Sequence, residues 1–125
     1  MGIDIYARWK GQSGDEVEKQ HEAAFTTEAG AVGYLREAYH GEPYATEYLV
    51  AEAFASKDGS AIPAATLRQR LPETLRLAEE RERTLYNATT PEDIEPVLRS
   101  YTAFVELCER QERQTGEPVR IVASW

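Results

Sequence analysis

Ile3-Asp4-Ile5-Tyr6-Ala7-Arg8-Trp9-Lys10 places Ile3, Ile5, Ala7 and Trp9 at every second position, with Asp4, Tyr6, Arg8 and Lys10 between them. A period of two is the mark of a strand with one buried face. Val119, Ile121, Ala123 and Trp125 repeat the pattern at the other end of the chain, after the turn residues Gly116 and Pro118. The two terminal strands are therefore expected to lie side by side. A lone pair of strands is marginal, so a third strand or a second copy of the chain is expected to complete the sheet. Tyr48-Leu49-Val50 is the best internal candidate.

Between these ends the chain reads as helical. Thr90-Pro91-Glu92-Asp93 supplies an N-cap, a proline at the first helical position and first-turn acids. Ile94, Leu98, Tyr101, Val105 and Cys108 follow at helical spacing, and Gly116 ends the run. Pro96 predicts a kink or a later start. Glu106–Arg110 and Glu109–Arg113 read as surface pairs four residues apart. Upstream, Leu67, Leu71, Leu75, Ala78 and Leu85 form a second stripe. Pro72 within it predicts a short helix over 63–70 and a longer one over 72–86. Gln12-Ser13-Gly14-Asp15 and Ser56-Lys57-Asp58-Gly59-Ser60 read as loops. With no repeat and no low-complexity linker, the expectation is a single α+β domain over residues 1–125. Its small sheet contains both terminal strands and packs against three to four helices.

Composition narrows the function. Of 125 residues, 42% are hydrophobic and 29% charged, and the net charge is −8. A negative field disfavours phosphate backbones, so no direct nucleic-acid partner is expected. Arg68, Arg70, Arg76, Arg81 and Arg83 are nearly cancelled by Glu73, Glu79, Glu80 and Glu82, which predicts a solvated face. Cys108 is the single cysteine, so no intramolecular disulfide is possible. The first residues lack a basic stretch leading into an apolar run, and no window suits a membrane-spanning helix. A cytoplasmic protein with no membrane partner is expected.

The unusual stretch runs from Gly30 to Tyr48 and carries four of the seven tyrosines, with His40 and Arg36. Tyr34 to Tyr39 reads as a short helix stopped by Gly41, delivering His40 and Tyr44 into a turn before and after Pro43. Gly30 and Gly33 are expected to leave backbone N–H groups able to meet an anion. Flat rings, a guanidinium and such N–H groups suit a planar, partly anionic ligand such as a nucleotide. The candidate ligand-binding residues are Gly33, Tyr34, Arg36, Tyr39, His40, Tyr44 and Tyr48. Each also has a plainer reading: half-buried packing for Tyr34 and Tyr39, a helix-end donor for His40, an ion pair for Arg36.

Other chemistry has less support. His21 and His40 have no metal-ligand spacing with Cys108 or paired acids, so no metal and no cofactor are expected. Cys108 lies on the apolar side of its helix, where a thiol is inert. No phosphate loop and no Gly-x-Ser-x-Gly elbow occur. Tyr39 and His40 as an acid–base pair lack a nucleophile or orienting group.

At Gly-Ile-Asp-Ile-Tyr-Ala-Arg-Trp (2–9) and Gly-Tyr-Leu-Arg-Glu-Ala-Tyr-His-Gly (33–41), the chain resembles a family of small uncharacterised bacterial and phage-borne proteins. That family offers no catalytic residues to carry over. The resemblance implies a small intracellular protein of viral origin, for which sequestering a host signal such as a cyclic nucleotide is one use. The expectation is therefore a non-catalytic domain holding a small polar or nucleotide-like ligand, with homodimerisation as a further expectation. The alternatives are an acidic protein–protein inhibitor or nucleic-acid mimic, prompted by 11 acids against 5 bases in residues 1–66, and a small enzyme using His40 and Tyr39.

Overall fold

The computed structural model describes residues 2–24, 26 and 28–125. Its sheet has four antiparallel strands in the order β2-β1-β4-β3, namely β1 (Gly2–Arg8), β2 (Tyr34–Ala38), β3 (Ser60–Ile62) and β4 (Val119–Ser124). The terminal strands pair as expected, with Ile5 opposite Ala123 and Ala7 opposite Ile121. The sheet is filled within one chain by β2 beside β1 and β3 beside β4. Trp125 lies beyond the strand and is exposed, with its ring 5.1 Å from that of Phe54.

One face of the sheet is covered by α3 (Ala64–Leu85) and α4 (Pro91–Thr115), with α2 (Ala45–Leu49) packed on α3. Ile3, Ile5 and Ala7, Leu35, Ile62, and Val119, Ile121 and Ala123 supply the sheet's side of the core. Leu67, Leu71, Phe104, Val105 and Cys108 supply the helical side. The same single cluster of buried side chains includes Leu49 and Val50 beside α2.

Several local expectations are overturned. Tyr34–Ala38 is a strand, although Leu, Arg, Glu and Ala all favour helices. Pairing with β1 decides it: Leu35 and Glu37 face the helices opposite Ile5 and Ile3, while Tyr34 and Arg36 face outward opposite Tyr6 and Asp4. The acid at the inward position 37 breaks the apolar alternation that would have revealed the strand. Gly41 does have a left-handed φ of 111°, but it lies in the loop after β2 and stops no helix. Tyr48 and Leu49 close the helix α2 rather than forming a strand.

Neither proline interrupts its helix. α3 is continuous through Pro72, and α4 begins at Pro91 and runs through Pro96 to a left-handed Gly116. Loss of one hydrogen bond and a ring clash cost about 3 kcal/mol. Leu67 and Leu71 before Pro72, and Thr74, Leu77 and Ala78 after it, are all buried and hold both halves on one axis. Leu85, expected in that stripe, is exposed. Glu109 turns away from Arg113 to form a two-pronged pair with Arg68 of α3, at 2.6 and 3.0 Å.

The expected loop at 12–15 is in fact a helix start. Ser13 caps α1 (Gly14–Glu22) in a reciprocal box with Glu16. This helix offers no apolar stripe, because its one buried side chain is Gln20. Gln20 Nε2 donates to the carbonyls of Ala7 and Val32, each at 3.0 Å, and Arg8 donates to Gln20 Oε1. At the end of the other expected loop, Ser60 already belongs to β3.

Leu71 is 4% exposed and joins α3 to the core. Leu71→Ala is expected to lose roughly 2–5 kcal/mol of unfolding free energy as a cavity opens, read from urea denaturation midpoints.

Candidate functional site

The inward acid of β2 meets a buried cation. Arg81 Nε lies 2.8 Å from Glu37 Oε2, and both side chains are under a tenth exposed. Glu37 also accepts from the backbone N–H groups of Ala45 at 2.8 Å and Thr46 at 2.9 Å, and from the Thr46 hydroxyl. A carboxylate from a strand thus does the work of an N-cap for α2, whose own N-cap residue Tyr44 makes no side-chain cap. Arg81 reaches three further carbonyls: Gly41, Pro43 at 3.1 Å and Ala38 at 2.9 Å. Its guanidinium stands 4.9 Å from the centre of the Tyr44 ring. The loop 39–44, with its cis Glu42–Pro43 bond, is wrapped around one arginine.

This arrangement separates the seven residues singled out in the sequence. Gly33 packs tightly in a left-handed conformation, φ 89°, where an added Cβ would lie 2.7 Å from Leu107. The Gly33 N–H is bonded to the Gly30 carbonyl at 3.0 Å, and the Gly30 N–H to Ser100 Oγ at 3.1 Å. The expected glycine N–H groups are therefore engaged within the fold. Tyr34 is buried and donates to Asp4, and burial, reinforced by that bond, raises its pKa to about 12. Arg36 Nη1 is drawn 2.6 Å from Asp4 on the outer face of the sheet. Bonds to Tyr34 and Asp4 raise the pKa of its guanidinium further. Tyr39 meets Tyr44 edge-on at 6.3 Å, and Tyr48 is exposed on α2. His40 lies 5.2 Å, ring to ring, from Tyr86.

Tyr86 is the aromatic residue the sequence reading missed. It follows α3 directly, and Asn87 then turns left-handed at φ 56°, a conformation asparagine tolerates. The Asn after a helix end was the available signal. Tyr86 borders a cavity of about 330 Å³ between β2 and the first half of α4, with Leu35, Val97, Ser100 and Tyr101 among its walls. Pockets for small molecules begin near ~300 Å³. A smaller hollow of about 70 Å³ adjoins it, sharing Arg36, Ala38, Tyr86, Val97 and Tyr101 and adding Glu82 and the Glu37–Arg81 pair.

The polar groups here are unevenly committed. Tyr101 is 5% exposed and forms no side-chain hydrogen bond among the described residues, yet no fully enclosed polar side-chain atom lacks a partner. Tyr101 lines both the cavity and the hollow. Burial raises the Tyr101 and Tyr86 pKa values, and the charges of Glu37 and Glu82 contribute to both. Glu82 is half-buried, and burial raises its carboxyl above the ordinary range, opposed by Arg81 and aided by Asp93. Elsewhere, burial pushes the Cys108 thiol up to about 12, which leaves it protonated at neutral pH. No group of three or more His, Cys, Asp or Glu side chains is arranged to hold a metal among the described residues. No described helix is long and apolar enough to cross a membrane. Comparison of the chain with family models, with characterised proteins and with solved structures finds no match.

Removing one partner of a buried pair leaves the other charge stranded. Arg81→Met is expected to cost about 3–5 kcal/mol, read by urea denaturation, with faster amide exchange at Ala45 and Thr46. Glu82 predicts the opposite sign. Its folded pKa lies above its unfolded one, so the native state holds the proton more tightly and stability falls as pH rises between the two. Glu82→Gln is expected to match the parent's melting temperature at acidic pH and exceed it at neutral pH. Identical pH profiles would contradict this.

Proposed function

We propose that this domain is a non-catalytic binding protein whose ligand, small, polar and planar, occupies the cavity between β2 and α4. The observation that carries this is the cavity itself. About 330 Å³ of space is walled by apolar groups such as Leu35 and Val97, with Ser100, Tyr101 and Tyr86 supplying a few polar atoms and a ring. That mixture is typical of small-molecule sites: apolar walls give affinity, and sparse polar groups fix orientation. Tyr86, 43% exposed, has a ring backed by His40 and a face available for stacking.

This reading keeps the nucleotide-like ligand and relocates it. Of the seven residues named from the sequence, Arg36 borders the cavity and His40 reaches it through Tyr86. Tyr44 supports Arg81 instead. In the setting suggested by the bacterial and phage-borne proteins, such a domain would hold a small signal molecule out of circulation.

Isothermal titration against mono- and cyclic nucleotides and their nucleosides tests the reading. At least one is expected to bind, and Val97→Phe, which fills the space from α4, is expected to abolish the heat while the melting temperature holds. Silence across the whole panel, or full binding by Val97→Phe, would remove the cavity as the site.

A further inference from the structure

The carboxyl of Glu82 stands out among the acids of its helix. Glu73 and Glu80 pair with Arg76 at 2.7 and 3.0 Å, and Glu79 pairs with Arg83 at 3.3 Å. Glu82 makes no side-chain hydrogen bond or ion pair among the described residues, although it is partly enclosed, as Glu73 and Glu79 are. Its neighbour Arg81 reaches it only through its charge, because the hydrogen bonds of the guanidinium go to Glu37 and to the carbonyls of Ala38, Gly41 and Pro43. A half-buried carboxylate with no partner is held at a cost to stability, and burial does raise its pKa. Its charge is felt by both Tyr86 and Tyr101, the two rings that border the large cavity and the small hollow alike.

We propose that Glu82, on the hollow that adjoins the cavity, is the specificity-determining residue of the site, accepting two parallel N–H donors from a planar ligand group that lies along Tyr86 and reaches the hollow. This rests on the cavity being the binding site. A carboxylate offers two oxygens side by side, so a fork of two N–H groups satisfies it in one plane. Tyr101 lines the same hollow, beside the position such a group would take. The net charge of −8 works in the same direction, since the field of the protein favours donor-rich or cationic groups over anions. Two sources present such a fork. One is the neutral Watson–Crick edge of guanine, with its ring N–H and exocyclic amine, and the other is an amidinium or guanidinium cation. Adenine presents an acceptor where guanine presents the ring N–H, so Glu82 rejects it.

The test titrates guanosine, adenosine and benzamidine into the parent, Glu82→Gln, Tyr86→Ala and Glu79→Gln, with melting temperatures recorded for each. The parent is expected to bind guanosine or benzamidine at least about tenfold more tightly than adenosine. Guanosine alone identifies a neutral base edge, and benzamidine alone identifies a cation. Glu82→Gln is expected to lose that preference and at least about tenfold in affinity, with a melting temperature at neutral pH no lower than the parent's. Tyr86→Ala should weaken every probe that binds, and Glu79→Gln should change none. Equal binding of guanosine and adenosine, unaltered in Glu82→Gln but lost in Tyr86→Ala, overturns the role of Glu82 and leaves the cavity as a binding site. Absence of binding by all three probes overturns the proposal, and silence of the nucleotide panel as well removes the cavity with it.

Discussion

The Glu37–Arg81 pair is the constraint on which the rest of this structure hangs. One carboxylate on the inner face of β2 fixes the start of α2, and one guanidinium from α3 gathers the carbonyls of the loop between them. An ion pair this enclosed adds little net stability by itself, because desolvation offsets most of the attraction. Its contribution is geometric. It ties an edge strand, a five-residue helix and the C-terminal end of a long helix together at a point where apolar packing alone would leave the loop 39–44 without direction. The pair lines the hollow that adjoins the cavity, and Tyr86, which borders both, is exposed.

That anchor also explains where reading the sequence succeeded and where it failed. The terminal strands were legible because Ile3, Ile5, Ala7, Val119, Ile121 and Ala123 obey one simple rule: alternate residues face one core. α4 was legible because Ile94, Tyr101, Val105 and Cys108 repeat at helical spacing and Gly116 stops it in the left-handed conformation. β2 was not legible, because its inward positions are Leu35 and Glu37 and the acid is admitted only by Arg81, 44 positions further along the chain. No local window contains that partner. α1 was hidden for a related reason, since the side chain that seats it is Gln20, bonded to main-chain carbonyls rather than to apolar neighbours.

The candidate site shows the same division. Clustering of aromatic residues in 30–48 drew attention to β2 and the loop after it, yet two of those rings serve the fold. Tyr34 is bound to Asp4, and Tyr44 lies under Arg81. Tyr86, Val97, Ser100 and Tyr101 come from the end of α3 and the first half of α4, brought to β2 by packing that leaves space beside the strand. Gly30 marks how close α4 approaches, since an added Cβ would lie 1.8 Å from the carbonyl oxygen of Ser100. The wall of the cavity is therefore a property of the helix–sheet interface, which has no signature in contiguous sequence.

Charge ties the two themes together. The acidic excess of the first half of the chain does not form a free stripe throughout, because Asp4, Glu37 and Glu52 are each taken up by an arginine, Arg36, Arg81 and Arg70. The arginines of α3, which in sequence look like a basic track, are spent in the same way: Arg68 on Glu109, Arg76 on Glu73 and Glu80, Arg83 on Glu79. Exposed pairs of this kind contribute little individually. Among the acids of α3, Glu82 is the one that forms no ion pair among the described residues. Position 82 lies one residue past the arginine that anchors the fold and four before Tyr86, on the hollow that adjoins the cavity between β2 and α4.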